Sequence, residues 1–480
     1  MKQINPFKEL RMNDVHGMSC DTRTLKKYDV FFDFMGCEDH CNQALQKGAL
    51  GIITPLKDFK GEGVPIYVTQ EPRLLFSKMC ARFYPSQPHT IAAVTGTNGK
   101  TSTVDFIRQL WQGLGKSSYS FGTLGLQGEK AHHIPLDLPA SLNTLDAYHL
   151  HKLLHTLTVQ DKEAFFTFEA SSHGLDQYRA HHVRVTHGVF TNLTQDHLDY
   201  HHNMEAYFEA KARLFTDVMD QGGTAIINAD DVYCMRLHTV CKDRGIQPYF
   251  FSMKDANVPL FARIEKLHGS GMSVRINAFN DFVDIDLPFV GSFQVENLLG
   301  ALGVVMTSSS VSLREIMPLF LTIKAPAGRM EHVGSTSLGA DVFIDYAHTP
   351  DALKRALESL RHHTQNNLHV IFGCGGDRDR TKRPIMGKIA ADLADHVLIT
   401  DDNPRTEDPQ IIREEILAGI GEKSTQTIDD RARAIEIGIK QLKKGDILLV
   451  AGKGHEQGQI IGQTIHPFCD KKTAEKYLRS

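Results

Sequence analysis

Ile91-Ala92-Ala93-Val94-Thr95-Gly96-Thr97-Asn98-Gly99-Lys100-Thr101 decides the fold. Its first four residues are a short apolar run of the kind that forms a buried parallel strand. Beyond the loop, Val104, Ile107, Trp111 and Leu114 recur at helical spacing, and Gly113 and Gly115 mark the helix stop. In a strand–glycine loop–helix unit, loop N–H groups and the helix N-terminus face phosphate oxygens. Lys100 would neutralise phosphate charge there, and the Thr101 hydroxyl would ligate Mg²⁺. Val94 occupies the first glycine position of the usual loop, so the alternative is a tight turn with an exposed lysine.

The same grammar extends outward. Phe165–Phe168, Val189–Thr191 and Ala225–Ile227 read as further buried strands of this unit. Val342–Ile344, Val370–Phe372, Val397–Ile399 and Ile447–Val450 form a second series, with amphipathic stretches such as Leu353, Ala356, Leu357 and Leu360 between them. Strands alternating with helices predict parallel, helix-covered sheets, with ligands at the carboxyl ends of the strands. Two linker-like stretches, Pro85–His89 and Ile323–Gly328, divide the chain. The expected fold is α/β in three domains: a small α/β domain over 1–87, a central parallel-sheet domain over 88–324, and a Rossmann-like domain over 325–480.

Composition narrows the function. Of 480 residues, 41% are apolar and 23% charged, with a formal net charge of -4, which excludes a broad cationic surface for nucleic acid. No apolar run approaches the ~18–20 residues that span a bilayer, and Met1–Asp14 lacks the apolar core of a secretory signal. The eight cysteines are scattered, as in a reducing compartment. The chain therefore reads as cytoplasmic. Cys37-Glu38-Asp39-His40-Cys41 has metal-ligand residue types, but no second Cys/His pair at zinc spacing adjoins it.

Two motifs follow the next strands. Glu169-Ala170-Ser171-Ser172-His173 puts a carboxylate at a strand end facing the phosphate loop, a position that suits a hard cation. Thr191 to Asp199 offers a second set, His197 foremost. On residues alone, Glu169 reads equally as a helix N-terminal carboxylate and His197 as a capping or core residue. Lys211, between Tyr207-Phe208 and Leu214-Phe215, reads as a solvated helix lysine.

In combination these motifs resemble, in order, those of the Mur ligases of peptidoglycan synthesis. The C-terminal motifs are similar too: Asp345-Tyr346-Ala347-His348-Thr349-Pro350, Gly373 to Asp379 with Lys382-Arg383-Pro384, Asp402-Asn403-Pro404-Arg405, and Gly452-Lys453-Gly454-His455-Glu456. The resemblance covers all three domains. It implies ATP-dependent activation of the D-glutamate carboxylate of UDP-MurNAc-L-Ala-D-Glu as an acyl phosphate, followed by attack of an amine. It implies ATP contacts from Gly96, Thr97, Asn98, Gly99, Lys100, Thr101, Ser102, Asn297, Arg329, Asp345, His348 and Lys382. Mg²⁺ would be held by Thr101, Glu169, His197 and Lys211, the lysine as its carbamate, and Lys100, Lys211 and His197 would be catalytic. The N-terminal domain would bind uridine. Thr22, Asn143, Thr144, Ser171, Gln177 and Arg179 would contact the UDP-MurNAc-dipeptide. Asp21-Thr22-Arg23 has threonine where the family has serine, and Asn143-Thr144-Leu145 departs from the common Thr-Thr-Pro.

The amino acid added is read from Asp402–Arg405. A guanidinium fork pairs with a carboxylate through two hydrogen bonds. Meso-diaminopimelate carries a carboxylate at its far end and lysine does not, so Arg405 would favour the former. The resemblance adds Arg378, Asp402, Asn403, Gly452 and Glu456 to this site, with Glu456 facing the distal ammonium. A monomer is expected. The rival readings are a sibling ligase that adds L-lysine or another amino acid, and, from another class, a nucleotide-dependent switch.

Overall fold

The structure, a computed structural model, describes residues 14–61, 63–139, 142–268 and 271–479. Among these residues the chain forms three sheets in succession, joined by helices, and a small hairpin. The first sheet is four-stranded and parallel, in the order β1 (Gly17–Ser19), β2 (Asp29–Phe32), β3 (Gly51–Thr54), β4 (Ile66–Val68). Every residue of β2 is buried, as its Asp-Val-Phe-Phe sequence requires between helix-covered faces.

The second sheet contains β5 (Thr90–Thr95), β6 (Ser118–Gly122), β7 (Gly125–Gly128), β8 (Phe165–Glu169), β9 (Val185–Phe190), β10 (Met219–Asn228), β11 (Gln247–Ser252), β12 (Leu260–His268), β13 (Gly271–Ala278) and β14 (Asp281–Leu287). Its order is β14-β13-β12-β11-β10-β9-β5-β8-β6-β7. β5 lies between β8 and β9, parallel to both, so the segments following these three strands emerge side by side. The helix Ser292–Ser309 packs across this sheet with an almost wholly buried face. No single helix among the described residues is long and apolar enough to cross a membrane.

The third sheet contains β15 (Glu331–Ser335), β16 (Asp341–Asp345), β17 (Leu368–Phe372), β18 (His396–Ile399), β19 (Thr425–Thr427) and β20 (Ile447–Ala451), ordered β15-β16-β20-β17-β18-β19. The helix Pro350–Arg361 follows β16. Its Thr349 cap accepts from Ala352 N, Pro350 occupies the first turn, and Leu353, Ala356, Leu357 and Leu360 are buried. The hairpin of β21 (Gly458–Ile461) and β22 (Thr464–Pro467) follows β20.

The expectation of purely parallel sheets needs correction. β6–β7, β12–β13–β14 and β15–β16 are antiparallel edges. In β13, Met272, Val274, Ile276 and Ala278 are buried and alternate with half-buried residues, the pattern of a strand with one face packed and one toward water.

Candidate active site

The loop after β5 is shaped by glycines that have no room for a side chain. At Gly96 (φ +150°) a Cβ would lie 1.9 Å from Thr191 Oγ1, and at Gly99 (φ +87°) it would lie 2.2 Å from Asn297 Oδ1. The segment after β9 fixes the loop: Thr97 N donates to Asn192 O at 2.8 Å, and Asn98 N to Asn192 Oδ1 at 3.0 Å. The helix Lys100–Gly113 starts without a side-chain cap, so its first-turn N–H groups remain for a ligand. Lys100 Nζ curls back onto Gly96 O at 2.8 Å and Thr97 O at 2.7 Å.

The structure overturns the residue-level reading of Lys211 as solvated. Its helix, Met204–Arg213, buries Tyr207, Phe208, Ala210 and Ala212 and touches the loop through Tyr207 and Lys211, and Lys211 is 1% exposed. Lys211 Nζ donates to Gly96 O at 2.8 Å, the carbonyl that also accepts from Lys100. Burial, with the neighbouring Lys100 charge added, holds Lys211 well below the usual lysine range. Tyr207 lies beneath it, its ring centroid 4.4 Å from Nζ, and its hydroxyl meets Thr97 Oγ1 at 3.2 Å.

Glu169, the last residue of β8, joins two groups of predicted site residues. Its Oε1 accepts from Thr101 Oγ1 at 2.9 Å and Thr123 N at 2.7 Å. Its main-chain carbonyl accepts from Thr144 Oγ1 at 2.7 Å. Thr144 Oγ1 is 2.9 Å from Ser171 Oγ, and Thr144 O accepts from Arg179 Nη1 at 2.9 Å. Arg179 Nη2 also donates to Gln177 Oε1 at 2.7 Å. Thr144, Ser171, Gln177 and Arg179 thus form one network. Asn143 is exposed, and Thr22 bonds instead to Gln43 Oε1 at 2.9 Å in the first sheet's unit.

Glu169 is buried, and among the described residues it has no ion-pair partner. Its donor set with the Thr101 hydroxyl fits a hard divalent cation. No cluster of three or more His, Cys, Asp or Glu side chains among the described residues could hold a metal alone. Phosphate oxygens would have to complete the coordination, as is usual for Mg²⁺. His197 sits near the loop in a left-handed conformation (φ +52°), with Nε2 3.4 Å from Asp196 Oδ2 and its ring 4.9 Å from that of His173.

Residues beyond 325 close the cleft. Arg329 Nη2 donates to Thr101 Oγ1 at 3.1 Å, and Asn98 Nδ2 donates to Asp351 Oδ2 at 3.1 Å. An open cleft lies between, lined by Asn98, Gly99, Thr101, Ser102, Asn297, Arg329 and Asp345. Asn192 of the Thr191–Asp199 motif also lines it, as do Phe293, Glu296 and Arg355, to which sequence reasoning assigned no role. Arg355 and Glu296 sit beside motif residues without a local signal of their own; their meeting across the cleft, at 3.9 Å, marks them. Burial pushes the Asp345 carboxyl up to about 6, against the opposing pull of Arg329. Lys382 Nζ donates to His348 O at 2.9 Å.

The remaining predicted residues gather at the ends of β17, β18 and β20. Arg405 is in a left-handed conformation (φ +52°), with Nη1 on Gly376 O at 2.8 Å. Its backbone is pinned to the hairpin: Arg405 N donates to Ile460 O at 3.1 Å and Gly462 N to Arg405 O at 2.7 Å. Asn403 Nδ2 donates to Glu456 Oε2 at 2.9 Å, and at Gly452 a Cβ would lie 2.6 Å from Asp402 Oδ2. Arg378 is exposed, with Nη1 on Asp377 O at 2.9 Å. Lys453, which stands in the Gly452–Glu456 motif without an assigned role, is fully buried beside Asp402 and Glu456.

Comparison with known proteins agrees with this arrangement. Residues 94–305 match the Mur ligase middle domain, and residues 328–454 match the Mur ligase, glutamate ligase domain. The UDP-N-acetylmuramoyl-L-alanyl-D-glutamate--2,6-diaminopimelate ligase of Bradyrhizobium diazoefficiens is 40% identical, over 97% of this chain and 95% of its own length. The ligase of the same name from Zymomonas mobilis is 41% identical, over 96% and 94%. A solved structure of a UDP-N-acetylmuramoyl-L-alanyl-D-glutamate--2,6-diaminopimelate ligase superposes with a TM-score of 0.68 at 32% identity, covering 97% of this chain and 95% of that one. With its loop, its strand-end carboxylate and its closing C-terminal unit in this order, the chain belongs to the Mur ligase family.

Proposed function

We propose that this ligase joins meso-diaminopimelate to the D-glutamate carboxylate of UDP-MurNAc-L-Ala-D-Glu at the expense of ATP. One observation carries the reading. Glu169 touches Thr101 of the phosphate loop with its carboxylate and Thr144 of the Thr144–Ser171–Gln177–Arg179 network with its carbonyl. A nucleotide phosphate and a second polar substrate would therefore meet at one residue, as a ligase needs and a nucleotide switch does not. The relatives' names support the acceptor and the amino acid.

In this reading the three sheets are the cores of three domains, 1–87, 88–324 and 325–480, each bringing one part of the substrates. Thr22 serves the uridine end, and Asn143, Thr144, Ser171, Gln177 and Arg179 orient the dipeptide. Gly96 to Ser102, Asn297, Arg329, Asp345, His348 and Lys382 hold ATP. The glutamate carboxylate attacks the γ-phosphorus and the bond to ADP breaks, leaving an acyl phosphate. The amine nitrogen then attacks the carbonyl carbon, loses a proton, and phosphate departs with the C–O electron pair. Lys100, freed from Gly96 and Thr97, neutralises the charge that builds on the transferring phosphoryl oxygens. Mg²⁺, held by Thr101, Glu169, His197 and Lys211, would offset repulsion between carboxylate and phosphate.

Lys211 enters this set as a carbamate. An uncharged amine is the form that attacks CO₂; an N–C bond forms, a proton leaves, and an anionic oxygen ligand results. Its burial supports that reading. Arg405 and Glu456, with Arg378, Asp402, Asn403 and Gly452, select the diaminopimelate end. The test is product mass after incubation with UDP-MurNAc-L-Ala-D-Glu, ATP, Mg²⁺ and either meso-diaminopimelate or L-lysine. Tripeptide with diaminopimelate alone is expected; equal use of lysine overturns the specificity.

A further inference from the structure

The segment Asp402–Arg405 is held from behind by a lysine that does not reach solvent. Lys453 follows β20, and its side chain is 0% exposed. Its ammonium donates to Asn403 Oδ1 at 2.9 Å and to Glu456 Oε2 at 2.8 Å, and it lies 3.5 Å from Asp402 Oδ1. Asn403 closes the group. Its Nδ2 donates to the same Glu456 Oε2 at 2.9 Å, while its Oδ1 also accepts from Ile460 N at 2.9 Å. The absence of a side chain at Gly452 (φ +114°) lets the Asp402 carboxylate lie against this turn.

Two consequences follow from this geometry. Both donors converge on Glu456 Oε2, so Oε1 of this partly exposed side chain has no hydrogen-bond partner among the described residues. One ammonium also serves two carboxylates, so Lys453 offsets part of the negative charge that Asp402 and Glu456 bring together. A buried cation bonded in this way fixes its partners' orientation, and its removal leaves their charges unbalanced.

We propose that Lys453 is the positioning residue of the amino-acid site. It holds Glu456 with Oε1 presented to the distal ammonium of the incoming amino acid, and offsets part of the negative charge that faces that ammonium. This rests on the diaminopimelate reading. Meso-diaminopimelate has no net charge at neutral pH and lysine carries one positive charge. Losing one positive charge beside these carboxylates and loosening Glu456 would shift the site's preference toward lysine.

The experiment uses the full-length enzyme and phosphate release with three varied substrates. Wild type must first turn over UDP-MurNAc-L-Ala-D-Glu with meso-diaminopimelate; failure there sinks the substrate assignment and not the role of Lys453. Given turnover, Lys453→Met should raise the diaminopimelate KM at least about tenfold, leave the KM for ATP and for the UDP-precursor within about twofold, and lower the ratio of diaminopimelate to lysine kcat/KM. In a Glu456→Ala background the same change should raise that KM by less than about twofold, since the two residues act as one unit. An unchanged diaminopimelate KM, or an equal rise in all three KM values with a lowered Tm, overturns the proposal. Should Lys453→Met fail to fold, Glu456→Gln keeps one oxygen for Lys453 and puts an amide toward the ligand. It should then raise the diaminopimelate KM at least about tenfold at unchanged Tm, and no rise overturns the proposal.

Discussion

At Lys211 the amine is buried, shares the Gly96 carbonyl with Lys100, and faces the Tyr207 ring. Its surroundings disfavour the ammonium form, and the uncharged amine is the form that carbamate formation needs. Lys211→Ala is expected to lower turnover by about 10³-fold or more, a loss of several kcal/mol in transition-state stabilisation. A short-chain carboxylic acid should restore part of the activity by supplying the missing oxygen ligand. Phosphate-release assays with and without the acid check this, and no rescue counts against the carbamate. Arg405 differs in kind: its strained backbone is pinned by the hairpin, and its guanidinium is half-buried at the ends of β17 and β18. Arg405→Ala should raise the diaminopimelate KM at least about tenfold and the ATP KM by no more than about twofold. Equal increases in both would sink its assignment.

Elements act here through the loops they carry. The segments after β17 and β18 are clamped by Arg383, whose guanidinium is fully buried and bonds Glu407, Glu415 and the Gly375 carbonyl. Glu407 in turn accepts from Asp377 N, so one arginine holds both loops. Arg383→Met should destabilise the C-terminal unit by about 3 kcal/mol, the low end for a broken buried pair because both glutamates are partly exposed. A thermal scan should show its transition lowered by roughly 10 °C; a shift within about 2 °C would mean the clamp contributes little. The strands around Arg383 were legible from their apolar runs. The clamp was not, because its partners are 24 and 32 residues away and no local pattern links them.

The whole molecule carries a pH signature of its own. His151, His181 and His187 are all buried, and burial pushes each imidazole down to about 4. Above about pH 6.5 each is neutral in the folded and unfolded states alike, and stability is unaffected. Between 6.5 and 4 the unfolded chain binds protons that the folded chain refuses, so stability falls with pH, by up to about 1.4 kcal/mol per pH unit for each histidine. Below 4 this contribution flattens. Tm measured from pH 8 to pH 4 should stay level and then fall below about 6.5. His187→Gln should soften the fall, and an unchanged slope would remove that histidine from the account.

The α/β grammar, the phosphate loop and the strand-end motifs were legible in the chain, because each rests on local spacing: apolar runs, glycines between strand and helix, polar residues at strand ends. That Lys211 is buried rather than solvated emerged from the folded chain. The same folding decided that Arg329 and Asp351 reach across to Thr101 and Asn98, and that Lys453 rather than solvent holds Glu456. The antiparallel edges belong with these, since pairing direction is set by which strands become neighbours. Burial, charge sharing and long-range pairing depend on residues distant in the chain, and no periodicity within a segment encodes them.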